Sequence, residues 1–213
     1  MVSRAATQTP IGFSLTNAGV TEKDTFSIIL RADSVLTGRN IYAFRFALSY
    51  DANYLEFIQT GLSGSILTFW GLPACGSITA GKIYIAGAGS VPLTGSGDML
   101  NLTFTAKRGG NSMVQNIAGE SYLNEGSPPM TLKSSTVQVA YRSYPDINPD
   151  SYTLFIGQEV QMSVSGGQPP YTYHSLDTSV AVISELTKVK GSGPGLTKVC
   201  VTDGAGEVSC TSG

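Results

Sequence analysis

The stretch from Ile41 to Tyr50 alternates in character with the two-residue period of a β-strand. One set of side chains is expected to face a hydrophobic core and consists of Tyr42, Phe44, Phe46, Leu48 and Tyr50. The opposite set consists of Ile41, Ala43, Arg45, Ala47 and Ser49. An arginine buried without a partner would cost several kcal/mol. Arg45 therefore predicts that this second face meets water or another molecule.

Short runs of the same kind recur along the chain, and the recurrence predicts an all-β protein. Clusters of Gly, Asn, Asp or Pro separate many of the runs, as turns separate strands in a sandwich. Charged residues make up only 13% of the chain, and no segment shows the period of an amphipathic helix. The clearest runs are IGFSL, TFSIILRA, KIYIAGAG, MLNLTFTAK and TVQVAY.

The charge balance limits the partners of the chain. A net charge of -2 provides no basic field, so we expect no nucleic-acid partner. No stretch approaches the roughly 18 apolar residues that a spanning helix needs, so we expect no membrane insertion. Low charge with much Ser, Thr and Gly is common in exported bacterial β proteins. We therefore expect the chain to be extracellular or at a cell surface.

Two of the three cysteines, Cys200 and Cys210, flank a segment with the turn chemistry of a hairpin, Asp203 to Gly206. On neighbouring strands their sulfurs would face each other, and we favour a disulfide, which fits an oxidising compartment. The alternative is a pair of reduced, small apolar residues on two strands. Cys75 has no obvious mate in the chain.

The hydrophobic pattern breaks between Tyr141 and Ser151, where two prolines and an arginine interrupt it. This break divides the chain into two domains. We predict an N-terminal extension at residues 1–9, a first domain at 10–141, a linker at 142–151 and a smaller second domain at 152–213.

The order of several segments in the first domain is typical of one bacterial family. The segments are FSL, DTFSIILRA, IYAFRFALSYDANYLEF, KIYIAGAG and GDMLNLTFTAK, and YDANYLEF is the most specific part. From about residue 10 to residue 140 the chain resembles a cohesin domain, the module that receives dockerins in cellulosome-type assemblies. The resemblance implies a nine-stranded jelly-roll sandwich. Ala52 replaces a proline that is common in the family.

The second domain carries the segments GGQPPY, SVAVIS, KGSGPG and TKVCVTDGAG. It resembles a bacterial Ig-like domain, a module that usually acts as a spacer or stalk in surface proteins. The two resemblances together imply an all-β fold class, with a cohesin-like jelly-roll β-sandwich followed by a small Ig-like β-sandwich.

The cohesin resemblance also implies a partner-binding surface. In cohesins that grip dockerins, part of this surface is the outward face of the strand that ends at the Tyr-Asp turn, together with neighbouring strands. The implied partner-binding residues here are Ala43, Arg45, Ala47, Tyr84 and Ala86. Many of those cohesins carry an acidic or amide residue where Arg45 stands. Arg45 could instead serve only to keep an exposed strand soluble, but its uncharged neighbours favour an interface.

The sequence offers little for catalysis. No GxSxG, HExxH, CxxC or Walker-type glycine loop is present, and the single histidine, His174, has the pattern of an ordinary strand residue. We therefore predict that the chain is not an enzyme and requires no cofactor.

One segment has the spacing of metal ligands. Asp146, Asn148 and Asp150 stand at alternate positions, like the first ligands of a calcium loop. Ser151 and Gly157 occupy the sixth and twelfth positions of that pattern, which excludes an EF-hand. A structural calcium ion bridging the domains and solvated turn residues are the two alternatives.

These observations predict a non-catalytic extracellular module for protein–protein interaction and assembly at a bacterial cell surface. Its partner would be a dockerin-like module, or copies of itself in a filament or array, docked on a flat sheet face. For self-assembly, the N-terminal segment ATQTPIGFSL could add to a neighbour's sheet edge. The competing hypothesis is a carbohydrate-binding module that stacks polysaccharide on aromatic side chains. The candidates are Tyr42, Tyr54, Trp70 and Tyr84.

Overall fold

The computed structural model of the chain describes residues 8–64 and 66–212. The predicted N-terminal extension at 1–9 therefore lies outside the described residues except at its last two positions. The regular elements of the described part are all β-strands. No helix in that part has the length and apolarity that crossing a bilayer requires. The chain divides into two compact units between Tyr141 and Arg142.

The first unit is built from two β-sheets. Its strands are β1 (Ile11–Leu15), β2 (Ala18–Thr21), β3 (Thr25–Ala32), β4 (Ala43–Tyr50), β5 (Leu55–Leu62), β6 (Ala74–Thr79), β7 (Lys82–Ala88), β8 (Gly97–Ala106), β9 (Gly110–Asn116), β10 (Tyr122–Leu123), β11 (Met130–Lys133) and β12 (Ser135–Ala140). The order of the first sheet is β11-β1-β3-β8-β5. The order of the second sheet is β2-β12-β9-β4-β7-β6, and β10 pairs with β4 next to the end of β9.

Three interruptions explain why the described residues form twelve strands here where nine were expected. The chain passes from the first sheet to the second between β1 and β2, and again between β11 and β12. Strand β9 pairs with one end of β4, the chain then loses this pairing, and it pairs with β4 again at β10. Each interruption divides one long strand into two short ones.

Strand β1 is not a free edge. It pairs in parallel with β11 and antiparallel with β3, so both of its sides are hydrogen-bonded within the unit. The hypothesis that the segment ATQTPIGFSL adds to a neighbouring molecule is therefore wrong for its IGFSL part, because these residues would first have to leave their own sheet.

The core lies between the two sheets, and β4 contributes to it as predicted. Phe44, Phe46 and Leu48 are buried, and the Phe46 ring packs edge to face on Phe13 with 5.1 Å between the ring centroids. Fully burying a side chain of this size stabilises a fold by about 1.5–3 kcal/mol. The alternation of β4 thus fixes which of its sides turns inward.

The alternation fails before β4 begins. Tyr42 was predicted in the core but is 44% exposed, whereas Ile41 is fully buried. The strand starts only at Ala43, and Asn40 just before it has a positive φ of 53°. The loop residues Gly89 and Leu93 then donate to the carbonyls of Tyr42 and Ile41. Irregular backbone, not the pleat, therefore orients these two side chains.

The second unit has eight short strands within the described residues. They are β13 (Pro145–Asn148), β14 (Glu159–Gln161), β15 (Ser163–Gly166), β16 (Thr172–Ser175), β17 (Ala181–Ser184), β18 (Lys188–Gly191), β19 (Val199–Thr202) and β20 (Val208–Cys210). They pair as β13-β15, β14-β18-β17 and β16-β19-β20. A small core cluster includes Ile147, Val189 and Val201. Cys200 and Cys210 form a disulfide between the paired strands β19 and β20.

The prediction of a linker at residues 142–151 was wrong. Pro145–Asn148 is strand β13, which pairs with Ser163–Gly166, and Ile147 enters the core of the second unit. The two prolines suggested an unstructured segment, but Pro145 occupies the first position of its strand, where a missing N–H is tolerated. This segment is therefore part of the second unit.

Asp203 organises the turn between β19 and β20. Its buried carboxylate accepts backbone N–H groups from Gln168 at 2.8 Å, Ala205 at 2.9 Å and Glu207 at 2.8 Å. Burial on its own raises the pKa of Asp203, but these backbone hydrogen bonds lower it, and the net pKa lies below the ordinary 3.8. The folded state therefore favours the ionised form.

We predict that the second unit loses stability in acid through Asp203. Because its pKa is lower in the folded than in the unfolded chain, its contribution is present near neutral pH and is lost as the pH falls below about 4. Thermal unfolding is followed at neutral and acidic pH. The unfolding temperature of Asp203→Asn should change less with pH than that of wild type. Asp146→Asn, which changes an exposed carboxylate of the same unit, is the control. An equal pH dependence in Asp203→Asn and wild type would contradict this assignment.

Candidate protein-binding face

The outer side of β4 presents Arg45 between two tyrosine rings. The guanidinium carbon lies 4.8 Å from the ring centroid of Tyr84 on β7 and 5.9 Å from that of Tyr122 on β10. Arg45 pairs with Ala86 on one side and Tyr122 on the other, so three adjacent strands set this geometry. Cation–π contact stabilises the half-buried charge, and stacking leaves the N–H edges of the guanidinium available to other acceptors.

The phenol of Tyr84 is held by a carboxylate. Its hydroxyl donates to Oε2 of Glu120 at 2.9 Å. This hydrogen bond raises the pKa of Tyr84 above its ordinary value, while the positive charge of Arg45 acts in the opposite direction. Among the described residues, no carboxylate forms an ion pair with Arg45 itself. Glu120 therefore orients the ring on which Arg45 rests.

Residues 117–126, which we call the covering segment, fold back over β4. Asn124 fixes one end, because its Oδ1 accepts from the backbone N–H groups of Tyr42 at 2.9 Å and Ala43 at 3.1 Å. Ser121 fixes the middle, where its Oγ accepts from the N–H of Ala47 at 2.8 Å. Ile117 donates its own N–H to the carbonyl of Ala47 at 2.8 Å. The segment thus hydrogen-bonds to backbone groups of Tyr42, Ala43 and Ala47, along the part of this edge that β9 does not reach.

The covering segment makes one predicted site residue inaccessible. Ala47 was placed on the open outer face by alternation, but it is fully buried. The side chain does point away from the core, and it lies between Tyr84, its cross-strand neighbour on β7, and the covering segment, whose Glu120 accepts the Tyr84 hydroxyl. The prediction that Ala47 lines the binding face was therefore wrong.

The other four predicted residues, Ala43, Arg45, Tyr84 and Ala86, line one concavity of about 1110 Å³, which we call the Arg45 concavity. Its floor is made of β4, β6 and β7, and its rim includes the covering segment. Most of the floor residues are alanine or glycine, so that Arg45 and the two tyrosines are the largest side chains on its outer side, while the ring of Phe44 lies in the core. Sequence reasoning missed the contributions of the covering segment, namely Gly119, Tyr122, Asn124, Glu125 and Gly126.

The four aromatic residues proposed for sugar stacking do not form a platform. Trp70 stacks on the core residue Phe44 with 5.7 Å between centroids, and its Nε1 donates to the carbonyl of Val91. Tyr54 is half-buried against Gly110, and Tyr84 is held beneath Arg45. Tyr42 is left as the single strongly exposed ring of the four. These positions do not support the sugar hypothesis in its original form.

The three predicted metal ligands do not form a loop. Asp146 and Asn148 lie in β13, opposite Ser165 and Ser163, and Asp150 accepts the backbone N–H of Ser212 at 3.1 Å. Among the described residues, no group of three or more His, Cys, Asp and Glu side chains could hold a metal ion. Calcium binding at these three residues stays a prediction.

We predict that Glu120 controls the titration of Tyr84. Replacing Glu120 with Gln removes the charged acceptor, so the pKa of Tyr84 should fall toward its ordinary value. NMR of isotope-labelled tyrosine rings across an alkaline titration measures this change. Glu125→Gln, which alters an exposed carboxylate of the same segment, should leave the Tyr84 titration unchanged. The same titration in wild type and Glu120→Gln would show that the hydrogen bond does not form.

Comparison with solved structures finds the fold of the first unit among cohesins. The sixth cohesin of scaffoldin B from Acetivibrio cellulolyticus, solved with a dockerin, matches with a TM-score of 0.53 and 18% identity, over 62% of this chain and 99% of that one. A type I cohesin–dockerin complex from Clostridium thermocellum matches with a TM-score of 0.54 and 18% identity, over 63% of this chain and 96% of that one. A non-cellulosomal cohesin from the archaeon Archaeoglobus fulgidus matches with a TM-score of 0.52 and 16% identity, over 62% of this chain and 92% of that one.

Family models match both units. Residues 11–138 match the cohesin domain, and residues 156–205 match the intimin immunoglobulin-like domain. No curated protein matches the chain. The predicted fold class, a cohesin jelly roll followed by an Ig-like domain, is confirmed. Because the cohesin match spans more than half of its residues, this chain belongs to the cohesin family.

Proposed function

We propose that the chain is a non-catalytic extracellular docking module that binds a dockerin-type protein at the Arg45 concavity. Two of the solved cohesins that it resembles were captured with dockerins. The observation that carries the proposal is a cation held on an aromatic ring in an open, small-residue concavity. Such a group is ready to bind a partner without first being ordered, because its rotamer is already restricted.

The chemistry of Arg45 indicates what the partner supplies. A guanidinium stacked on Tyr84 presents its N–H edges outward, a geometry suited to bidentate contact with a carboxylate. The alanines around it allow close approach, and Tyr122 adds exposed ring area. We therefore propose an acidic side chain of the partner opposite Arg45, surrounded by apolar contacts.

The remaining features support an extracellular setting. A disulfide in the second unit is typical of oxidising compartments, and the Ig-like domain fits the role of a spacer that presents the first unit. Self-assembly into a filament or array is the second version of the docking hypothesis. Light scattering across a concentration series tests it, since mass that rises with concentration would favour a second copy as the occupant.

We expect Arg45→Glu to weaken partner binding at least about tenfold, because two carboxylates would then face each other. The immobilised chain would capture dockerin-bearing proteins from the secreted proteins of the source organism, with and without calcium. Calorimetry with the identified partner would then give the affinity. Arg45→Lys should bind with intermediate affinity, since it keeps the charge but loses the planar stacking.

The matched control is Arg108→Glu, which makes the same charge change at an exposed position outside the concavity. It should bind like wild type. Undiminished binding by Arg45→Glu, or an equal loss in Arg108→Glu, would exclude Arg45 from the interface.

A further inference from the structure

A second part of the outer face of the same sheet has a different chemistry. Three adjoining depressions, of about 650, 460 and 530 Å³, lie over β4, β9, β12 and β2 and share Gln138. Thr136 and Asn111 each line two of the three. We call the three together the amide groove. Among the described residues that line it, Asp51 is the single charged one.

The strand register places the polar side chains of the groove in rows. Gln138 of β12 lies opposite Asn111 of β9, and Thr136 lies opposite Met113. Gln115 of β9 lies opposite Ser49 of β4. Neighbours across strands are about 5 Å apart, and the positions from Asn111 to Gln115 span about 13 Å along the strand. The groove is therefore long enough for several units of a chain-like ligand.

The side-chain amides of Asn111, Gln115 and Gln138 are exposed and take part in no hydrogen bond with another described residue. Each amide is both a donor and an acceptor, so three of them offer a dense, uncharged set of hydrogen-bonding groups. A charged ligand would find no counter-charge here apart from Asp51. An apolar protein surface would leave the amides desolvated and unpaired, which is costly. The vicinal hydroxyl groups of a sugar carry no charge, and each can donate and accept a hydrogen bond, so they can pair with these amides.

An aromatic ring closes one end of the groove. Tyr141 lines the same depression as Asn111 and Gln138, and it is 72% exposed. Its ring lies over Gly109, where a Cβ would overlap the ring atoms. Glycine at this position therefore lets the ring lie against the backbone and leave its other face open. An open ring face beside hydrogen-bonding amides suits the apolar face of a pyranose.

We infer that the amide groove binds a neutral polysaccharide, with Gln138 as the central hydrogen-bonding residue and Tyr141 as the stacking residue. This site is separate from the Arg45 concavity and shares no lining residue with it. The chain would thereby hold a protein partner and a glycan surface on different parts of one sheet.

The test is native affinity electrophoresis of the full chain in gels containing hydroxyethylcellulose, xyloglucan or mixed-linkage β-glucan, with polygalacturonate as the anionic comparison. We expect retardation by at least one neutral polysaccharide and none by polygalacturonate. Gln138→Ala and Tyr141→Ala should each reduce the affinity about tenfold, and Tyr141→Phe should retain it. Thermal unfolding of each variant shows that the fold is intact.

Two controls separate this site from others. Gln59→Ala removes an exposed amide from the opposite sheet and should bind polysaccharide like wild type. Arg45→Glu should also bind polysaccharide like wild type, so that failure of the docking proposal and failure of this inference are distinguishable. The inference is overturned by an absence of retardation in all three neutral gels, by retardation in polygalacturonate alone, or by undiminished binding in both Gln138→Ala and Tyr141→Ala.

Discussion

The pleat of β4 holds Phe46 and Arg45 on opposite sides of one sheet, and the site depends on this separation. Phe46 is fully buried against Phe13, so β4 cannot rotate without losing core contacts. Arg45 is consequently fixed on the outer side, where Tyr84 and Tyr122 flank it. A charge that the core cannot accept is thus held in a defined position at the surface.

The covering segment divides the outer face of this sheet into two surfaces. It buries Ala47 in the middle of β4 and forms the rim of the Arg45 concavity. Beyond it, β9 and β12 carry neutral amides instead of a cation. The division arises because β10 replaces β9 as the neighbour of β4 partway along the strand. One irregularity of backbone pairing therefore separates two surfaces of different chemistry.

Local alternation was sufficient to predict the core side of β4 and the outward placement of Arg45 and Tyr84. It could not predict Ala47, because the segment that buries it is distant in sequence and pairs through only two residues, Tyr122–Leu123. It also failed at β13, where Pro145 resembled a linker residue but begins a paired strand. The fold followed from patterns within short segments, whereas the missed parts of the site depend on contacts between distant segments.

In the proposed complex, the partner covers Arg45 and the two tyrosines that flank it. Hydroxyl-radical footprinting of the chain, free and saturated with its captured partner, measures this directly because Tyr122 is exposed in the free chain. We expect modification of Tyr122 and Tyr84 to fall in the complex, while that of Ile58 on the opposite sheet is unchanged. Unchanged modification of Tyr122 together with protection of Ile58 would contradict docking at Arg45 and place the partner on the other sheet.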